Sequence, residues 1–121
     1  MTIINNNYDL EDRTMKFSKN LIAFLKASPK NSLTLVLIDQ CLRAGTSFGA
    51  NYREANGASS RKDFMNKIYI CKKEAKEALY WLELLGGAID DEKLKQDCRA
   101  LWTEAKEFVL IFGKIVSNSK V

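Results

Sequence analysis

Residues 61–85 read RKDFMNKIYICKKEAKEALYWLELL, and this stretch decides the fold. Its apolar side chains recur at alternating spacings of four and three residues, the pattern that places them on one face of an α-helix. Lysine, glutamate and tyrosine residues occupy much of the remaining surface. The stretch therefore predicts a long amphipathic helix with a core stripe of Phe64, Ile68, Cys71, Ala75, Ala78, Leu82 and Leu85.

The same apolar repeat occurs in three other segments, at about residues 8–27, 32–55 and 91–116. With residues 61–85 they make four helices joined by short links, which predicts an all-α fold, an antiparallel up-down-up-down four-helix bundle. A length of 121 residues suits one such domain, covering residues 1–121. The other predicted stripes are Leu10, Thr14, Phe17, Leu21 and Phe24; Ile38, Cys41, Gly45, Phe48, Tyr52 and Ala55; and Leu94, Cys98, Leu101, Ala105, Phe108, Phe112 and Ile115.

Residues that commonly start or stop helices separate the four segments. The predicted signals are Pro29 as the end of the first segment, Asn31 or Ser32 as the N-cap of the second, Ser60 with Asp63 at capping-box spacing, Gly86-Gly87 as a left-handed stop, and Asp90-Asp91 at the start of the fourth.

The composition argues against an enzyme. The chain contains no histidine, so it lacks the commonest general base and the usual ligand of zinc and non-haem iron. A carboxylate-bridged di-iron bundle would need Glu-x-x-His on two helices, which the chain therefore cannot supply. We expect a non-enzymatic protein with no cofactor and no metal site.

The three cysteines, Cys41, Cys71 and Cys98, lie about thirty residues apart on the predicted core stripes. An odd number without a Cys-x-x-Cys pair is typical of reduced, buried thiols in a reducing compartment. The first residues, MTIINNNYDLEDR, lack a basic region followed by an apolar one, and no run of ~18 apolar residues occurs. These features predict a cytoplasmic protein that neither is exported nor enters a membrane.

The net charge of +4 is unevenly distributed along the chain. Residues 26–76 carry ten basic and four acidic side chains, whereas residues 77–121 carry six basic and eight acidic ones. Within the basic part, the face of segment 61–85 opposite Phe64 and Ile68 combines lysine with tyrosine. This face indicates phosphate attraction with aromatic stacking, as in proteins that hold nucleic acid without reading its sequence, although an ordinary solvated lysine face would have the same pattern. The candidate binding residues are Lys62, Tyr69, Lys73, Lys76 and Tyr80.

Segment 32–55 contains Gly45 and Gly49 one helical turn apart. Each glycine costs ~1 kcal/mol of helix propensity. The spacing therefore predicts that a neighbouring helix packs closely against this point.

A second side of segment 32–55 is polar, and we favour structural hydrogen bonds over catalysis there. If the segment pairs antiparallel with segment 61–85 around a turn near Ala58, positions summing to about 117 face each other. This register predicts an Arg43–Glu74 ion pair and a contact from Lys67 to Asn51 or Glu54, partly shielded by the surrounding helices. The predicted structural network comprises Arg43, Ser47, Asn51, Glu54, Lys67 and Glu74.

Two runs of the sequence resemble a known family. They are residues 43–55, RAGTSFGANYREA, and residues 73–85, KEAKEALYWLELL, with Asp63-Phe64 and Lys67 between them. Their order and spacing resemble the bacterial 23S rRNA intervening-sequence proteins, a family of four-helix bundles. The resemblance implies a homopentameric ring without an established biochemical activity. A similar fold is that of the accessory variability protein of diversity-generating retroelements, a basic pentamer that binds nucleic acid and a reverse transcriptase.

Two functional hypotheses remain open from the sequence. The first is a homo-oligomeric binding protein, a ring of five copies, associated with RNA or DNA through its basic surface and with a reverse transcriptase or another protein as a further partner. The second is a protein–protein scaffold that uses exposed aromatic residues such as Trp81 and Trp102 and binds no nucleic acid. The ring is also predicted to cover apolar residues expected at the surface, namely Ile70, Trp81, Trp102 and Val109.

Overall fold

The computed structural model of the chain describes the backbone of residues 2–119 and the side chains of residues 10–118. It contains four helices: α1 (Thr2–Ala27), α2 (Ser32–Asn56), α3 (Arg61–Gly87) and α4 (Glu92–Ser119). Each helix packs against the next, and α1 also contacts α4. The prediction of an all-α, up-down-up-down four-helix bundle is confirmed. Over residues 2–119, no helix is both long and apolar enough to cross a membrane.

The helices are slightly longer than the sequence pattern predicted, because α1 begins at Thr2 and α4 continues to Ser119. Two of the predicted N-terminal caps form as expected. The side chain of Asn31 accepts the N–H groups of Leu33 and Thr34, each at 3.0 Å, and the carboxylate of Asp91 accepts the N–H of Leu94 at 2.9 Å. These caps satisfy backbone donors that have no partner inside the first helical turn.

Only half of the predicted capping box forms at the start of α3. The hydroxyl of Ser60 accepts the N–H of Asp63 at 3.0 Å. The carboxylate of Asp63 instead accepts the hydroxyl of Ser59 at 3.1 Å. The shorter aspartate side chain thus accepts a hydrogen bond from the preceding loop, whereas the longer glutamate of a capping box would reach back to the backbone N–H of the N-cap.

The prediction of a left-handed stop at Gly86-Gly87 is wrong. Helix α3 runs through Gly87 and ends at Ala88 in a right-handed conformation, and no glycine within the described chain has a positive φ. The ammonium group of Lys95 donates to the Gly86 carbonyl at 3.0 Å. A side chain from α4 therefore satisfies a carbonyl at the end of α3, as the backbone N–H groups of a left-handed turn do for the last carbonyls of other helices. Gly86 serves packing instead, because a Cβ there would lie 3.0 Å from Cys98 Sγ.

An aromatic cluster occupies the centre of the bundle. The ring of Phe48, from α2, lies 5.2 Å from that of Phe17 on α1 and 5.1 Å from that of Phe108 on α4. Phe112 extends the cluster along α4, with its ring 6.2 Å from Phe48 and 6.0 Å from Tyr52. Tilted and edge-on pairs of this kind add to the stabilisation that burial alone provides.

The predicted core stripes are buried along most of their length. The exceptions lie near helix ends, where Phe64, Leu94 and Ile115 are only partly buried and Val116 takes the innermost place at the end of α4. A straight helix drifts by ~20° per heptad relative to a seven-residue repeat, so the stripe moves to the next residue after three heptads.

The three cysteines are buried and unpaired, as predicted. The thiols of Cys71 and Cys98 donate to the carbonyls of Phe48 at 3.3 Å and Leu82 at 3.2 Å. Burial raises the pKa of all three thiols, to about 12 for Cys41 and Cys71. A protonated, inaccessible thiol is a poor nucleophile, so these residues act as small core side chains.

The two glycines of α2 do form a close contact, and the neighbour is α1. A Cβ at Gly45 would lie 2.2 Å from Leu21 Cδ2, and one at Gly49 would lie 3.0 Å from Thr14 Cβ. Leu21 is fully buried, so it has no free space into which to move. The α1–α2 distance therefore depends on the absence of side chains at these positions.

We expect Gly45→Ala to destabilise the protein by ~1 kcal/mol or more, because overpacking costs ~1–3 kcal/mol and helix propensity returns at most ~1 kcal/mol. The matched control is Gly113→Ala in α4, where the nearest atom, Lys72 Cε, would be 3.8 Å away, and this variant should be as stable as the parent or more so. Urea unfolding at one fixed protein concentration measures both. A Gly45→Ala variant as stable as Gly113→Ala would contradict the packing argument.

Candidate nucleic-acid interface and the adjoining polar network

The lysine and tyrosine face predicted on α3 is exposed to solvent along its full length. Lys62, Tyr69, Lys73, Lys76 and Tyr80 are all exposed, with 44% of the surface of Tyr69 and 59% of that of Tyr80 accessible. They share one side of α3 because its opposite side packs into the core through Ile68, Cys71 and Ala75 among others. Local sequence periodicity therefore positions these side chains without any contribution from a loop.

Four of the five candidate residues line one shallow, open groove of about 540 Å³. Tyr69 and Tyr80 line it together with Lys73 and Lys76, whereas Lys62 lies nearer the start of α3 and outside it. The remaining lining residues are Lys72, Glu77 and Trp81. We call this surface the α3 groove.

Lys72 and Trp81 were not among the predicted site residues. Lys72 lies three residues after Tyr69 and four before Lys76, so helical spacing alone would have found it. Trp81 is partly buried against the core and contacts Tyr80 edge-on, with ring centroids 5.0 Å apart and an interplanar angle of 78°. Its place at the groove margin follows from packing, which the sequence pattern did not reveal.

The acidic residues beside the α3 groove form ion pairs with an arginine of α2. Arg43, on α2, donates Nη1 to Glu74 Oε1 at 3.0 Å and Nη2 to Glu77 Oε1. Glu74 is 8% exposed, whereas the Arg43 side chain is 47% exposed. The hydrogen bond to Glu74 is the main reason that the pKa of Arg43 lies above its ordinary value. The lysines thus face solvent next to two carboxylates that share one arginine.

The predicted Arg43–Glu74 pair is therefore confirmed, and with it the antiparallel register of α2 and α3. The second partner, Glu77, was not predicted, although it lies one turn after Glu74 on the same side of α3. Lys73 Nζ is the only other described cation near Glu74, at 4.0 Å from Oε2. Removing Arg43 would consequently leave a buried carboxylate with one distant, solvated partner.

The rest of the predicted network splits into local contacts. Lys67 Nζ lies 2.7 Å from Glu54 Oε1, as predicted, but 36% of the Lys67 side chain and 60% of the Glu54 side chain are exposed, so only Lys67 has the expected partial shielding. Both residues lie near the α2–α3 turn, where Glu54 faces solvent. Asn51 donates Nδ2 to the Ser47 carbonyl at 2.9 Å and to its hydroxyl at 3.2 Å, so this part of the network lies within α2.

The four apolar residues expected at the surface, Ile70, Trp81, Trp102 and Val109, are instead partly buried, which corrects the prediction. Trp81, Trp102 and Val109 pack against the core. The ring of Trp102 also lies below the Lys106 ammonium, 5.2 Å from the ring centroid. Of the large apolar side chains that are exposed, Tyr69, Tyr80 and Leu84 lie on α3 and Leu110 on α4. The other six lie on α1 and α2, and we call them the α1–α2 apolar surface: Met15, Ile22, Leu33, Leu35, Val36 and Leu42.

Residues 45–49, GTSFG, fit the Gly-x-Ser-x-Gly pattern of serine hydrolases. In those enzymes the serine occupies a sharp strand-to-helix turn beside a histidine. Here the segment lies in the middle of α2, Ser47 bonds to Asn51, and the chain contains no histidine. The glycines are explained by the contact with α1, so the match reflects packing.

A second cleft, of about 650 Å³, lies between α1 and α4. Its charged rim is already paired, since Arg13 Nη2 lies 2.9 Å from Glu104 Oε1 and 3.0 Å from Glu107 Oε1. Acidic and basic residues therefore alternate here, and the cleft offers anions no net attraction comparable with that of the α3 groove. Within the described residues, no group of three cysteine, aspartate or glutamate side chains is arranged to hold a metal ion.

The family model for 23S rRNA-intervening sequence proteins matches residues 6–108. The chain belongs to this family. It is also similar to a crystal structure from Bacteroides thetaiotaomicron, described as a protein with unknown function from the S23 ribosomal protein family, with 34% identity and a TM-score of 0.77. That similarity covers 88% of this chain and 97% of the other. No curated protein matches the chain.

The matched range contains the whole of α2 and α3. The α3 groove and the Arg43 ion pairs of this intervening-sequence protein therefore lie inside the part of the chain that the family model describes. The sequence resemblance, which depended on residues 43–55 and 73–85, is confirmed by the match.

We expect Arg43→Ala to lower the free energy of unfolding by ~2 kcal/mol, because it leaves the buried Glu74 carboxylate without its main partner. Glu74→Ala should cost less, since Arg43 retains Glu77 and solvent, and the double variant should cost clearly less than the sum of the two. Chemical denaturation of the three variants measures the coupling.

The matched control is the exposed pair of Lys67 and Glu54. Alanine at either position should cost only ~0–1 kcal/mol, the usual range for solvated pairs. A cost for Arg43→Ala below ~0.5 kcal/mol, or one equal to that of Lys67→Ala, would contradict a stabilising role for the Arg43–Glu74 pair.

Proposed function

We propose that this intervening-sequence protein is a non-enzymatic, homo-oligomeric cytoplasmic protein that binds RNA or DNA through the α3 groove. The observation that carries the proposal is the concentration of lysine ammonium groups and open tyrosine rings on one exposed helix face. Lys72, Lys73 and Lys76 lie within five residues of one another in the groove, and Lys62 continues the positive charge along α3. The absence of histidine from the sequence and the fully buried cysteines leave few groups for acid–base or nucleophilic catalysis.

Electrostatics favours a polyanion as the ligand. Phosphates that contact lysine release condensed counterions, and the affinity gained in this way does not depend on sequence. The acidic residues bordering the groove, Glu74 and Glu77, bind Arg43, so they weaken the potential of the lysines less than free carboxylates would. A single copy offers four lysines on this face, which predicts weak binding by one subunit.

Self-association would overcome that weakness. Several copies of the α3 groove on one assembly add their potentials and bind one strand together. The α1–α2 apolar surface suits contact with a second copy, because residues 32–42 carry only one charged side chain, Asp39. Met15 lines a cleft with Thr46, one turn beyond Leu42, so Met15 on α1 lies near the part of α2 that follows Leu42. Like-charge repulsion is small between two such surfaces.

A scaffold that binds another protein is the second candidate. The observation in its favour is the aromatic pair of Tyr80 and Trp81 at one end of the groove, since aromatic residues are enriched at protein interfaces. Trp102 contributes less to this hypothesis, because Lys106 covers its ring and its Nε1 atom is buried.

For the nucleic-acid proposal, we expect log K for a labelled RNA or DNA strand to fall steeply with log salt. Changing Lys62, Lys73 and Lys76 together to glutamine should weaken binding and make the slope shallower by up to ~2–3, because fewer phosphates are neutralised. Fluorescence anisotropy at several salt concentrations measures both quantities, and circular dichroism checks that the helices remain.

The matched control changes three exposed lysines on α1 and α4 to glutamine, namely Lys19, Lys26 and Lys114. This variant loses the same net charge. This variant should keep most of the slope. No binding of the parent protein to either nucleic acid at ~50 mM salt would favour the scaffold, and equal losses in the two triple variants would mean that the α3 groove is not the binding site.

For the assembly proposal, light scattering on the eluting protein should give a mass several times 13.7 kDa, with a ring of five as the expected assembly. The double variant Leu35→Ser and Val36→Ser should shift the protein towards smaller species, because it removes exposed apolar area from the α1–α2 surface. Leu110→Ser, at a still more exposed position on α4, is the control and should leave the mass unchanged. A parent protein that elutes as a monomer at tens of micromolar would overturn the proposal.

A further inference from the structure

We infer that the α3 groove selects unpaired nucleotide strands over duplexes, with bases stacked on Tyr69 and Tyr80 and phosphates held by the lysines between them. This inference rests on the proposed nucleic-acid binding and specifies the kind of ligand. Electrostatic attraction alone would not distinguish a strand from a duplex, so the distinction comes from the tyrosines.

The two tyrosines lie at opposite ends of the groove. They are eleven residues apart on α3, which at a rise of ~1.5 Å per residue separates them by ~16 Å along the helix axis. At a spacing of ~3.4 Å per nucleotide along a stacked strand, that distance corresponds to about five nucleotides, and to fewer when the strand is extended. One short segment of a strand can therefore contact both rings and the lysines between them.

Both rings present surface to solvent in the free protein. Large aromatic side chains of soluble proteins are usually covered, and 44% of Tyr69 and 59% of Tyr80 are accessible. Trp81 contacts the Tyr80 ring edge-on at 78° and packs against the core. This contact restrains Tyr80 while leaving ring surface open, which lowers the entropy lost when a base stacks on it.

A duplex would make poorer use of this surface. Its bases are stacked on one another and cannot cover a tyrosine ring, so only the phenol hydroxyls and the ammonium groups would contact its backbone. Proteins that bind single strands combine a basic groove with aromatic stacking surfaces, which is the combination present here.

The test compares a mixed-sequence 15-nucleotide strand with the duplex of the same length, as RNA and as DNA, on the full-length protein at ~50 mM salt. We expect the single strand to bind at least tenfold more tightly than the duplex. Tyr69→Ala with Tyr80→Ala should weaken single-strand binding at least tenfold, since stacking on one ring changes affinity roughly five- to 150-fold. Duplex binding should weaken far less, since only the two hydroxyl contacts are lost, and the salt slope should not change because every lysine remains.

The matched control is Tyr69→Phe with Tyr80→Phe, which keeps both rings and removes both hydroxyls. It should bind the single strand within about twofold of the parent protein. A phenylalanine variant as weak as the alanine variant would show that the hydroxyls rather than the ring faces make the contact, and would overturn the inference.

Other outcomes separate this inference from the proposed function. Equal affinity for strand and duplex, with no effect of the alanine variant, would overturn strand selection and leave nucleic-acid binding intact. Absence of binding to every probe would overturn both. Tighter binding of RNA than of DNA, or the reverse, would leave the inference standing and identify which strand the groove prefers.

Discussion

The burial of Phe48 between three helices is the contact on which the rest of the structure depends. Its ring meets Phe17 on α1 and Phe108 on α4, and its carbonyl accepts the thiol of Cys71 on α3. These contacts fix the rotation of α2 about its own axis. With Phe48 inward, Gly45 faces α1, where a side chain would collide with Leu21.

The same rotation links the core to the surface of α3. It places Arg43 at the α2–α3 boundary, where it binds Glu74 and Glu77, so one of the two negative charges beside the lysines of the α3 groove is offset. The basic face and the α1–α2 apolar surface lie on different helices, and a copy that used one for assembly would leave the other free. The core thus determines how the charges and the apolar residues are distributed around the bundle.

Most of the fold could be predicted from the sequence, because helical periodicity determines on which side of its helix each residue lies. The four stripes, the caps at Asn31 and Asp91 and the pairing of Arg43 with Glu74 were all predicted. The left-handed stop predicted at Gly86-Gly87 was wrong, because the sequence could not show that the Lys95 ammonium satisfies the end of α3 or that Gly86 lies against a neighbouring helix. Interactions between elements decided both points.

The candidate site divides in the same way. The sequence by itself determined that lysine and tyrosine share one exposed face of α3, since a period of 3.6 residues and an apolar opposite face suffice for that conclusion. Only the tertiary structure decided that Trp81 is half-buried beside Tyr80, that Glu54 is exposed, and that Glu77 shares Arg43 with Glu74. The physical reason is the distance between helices. Periodicity gives the direction of a side chain, whereas its burial and its partners depend on how closely the helices approach. Close contacts such as that between Gly45 and Leu21 determine this distance.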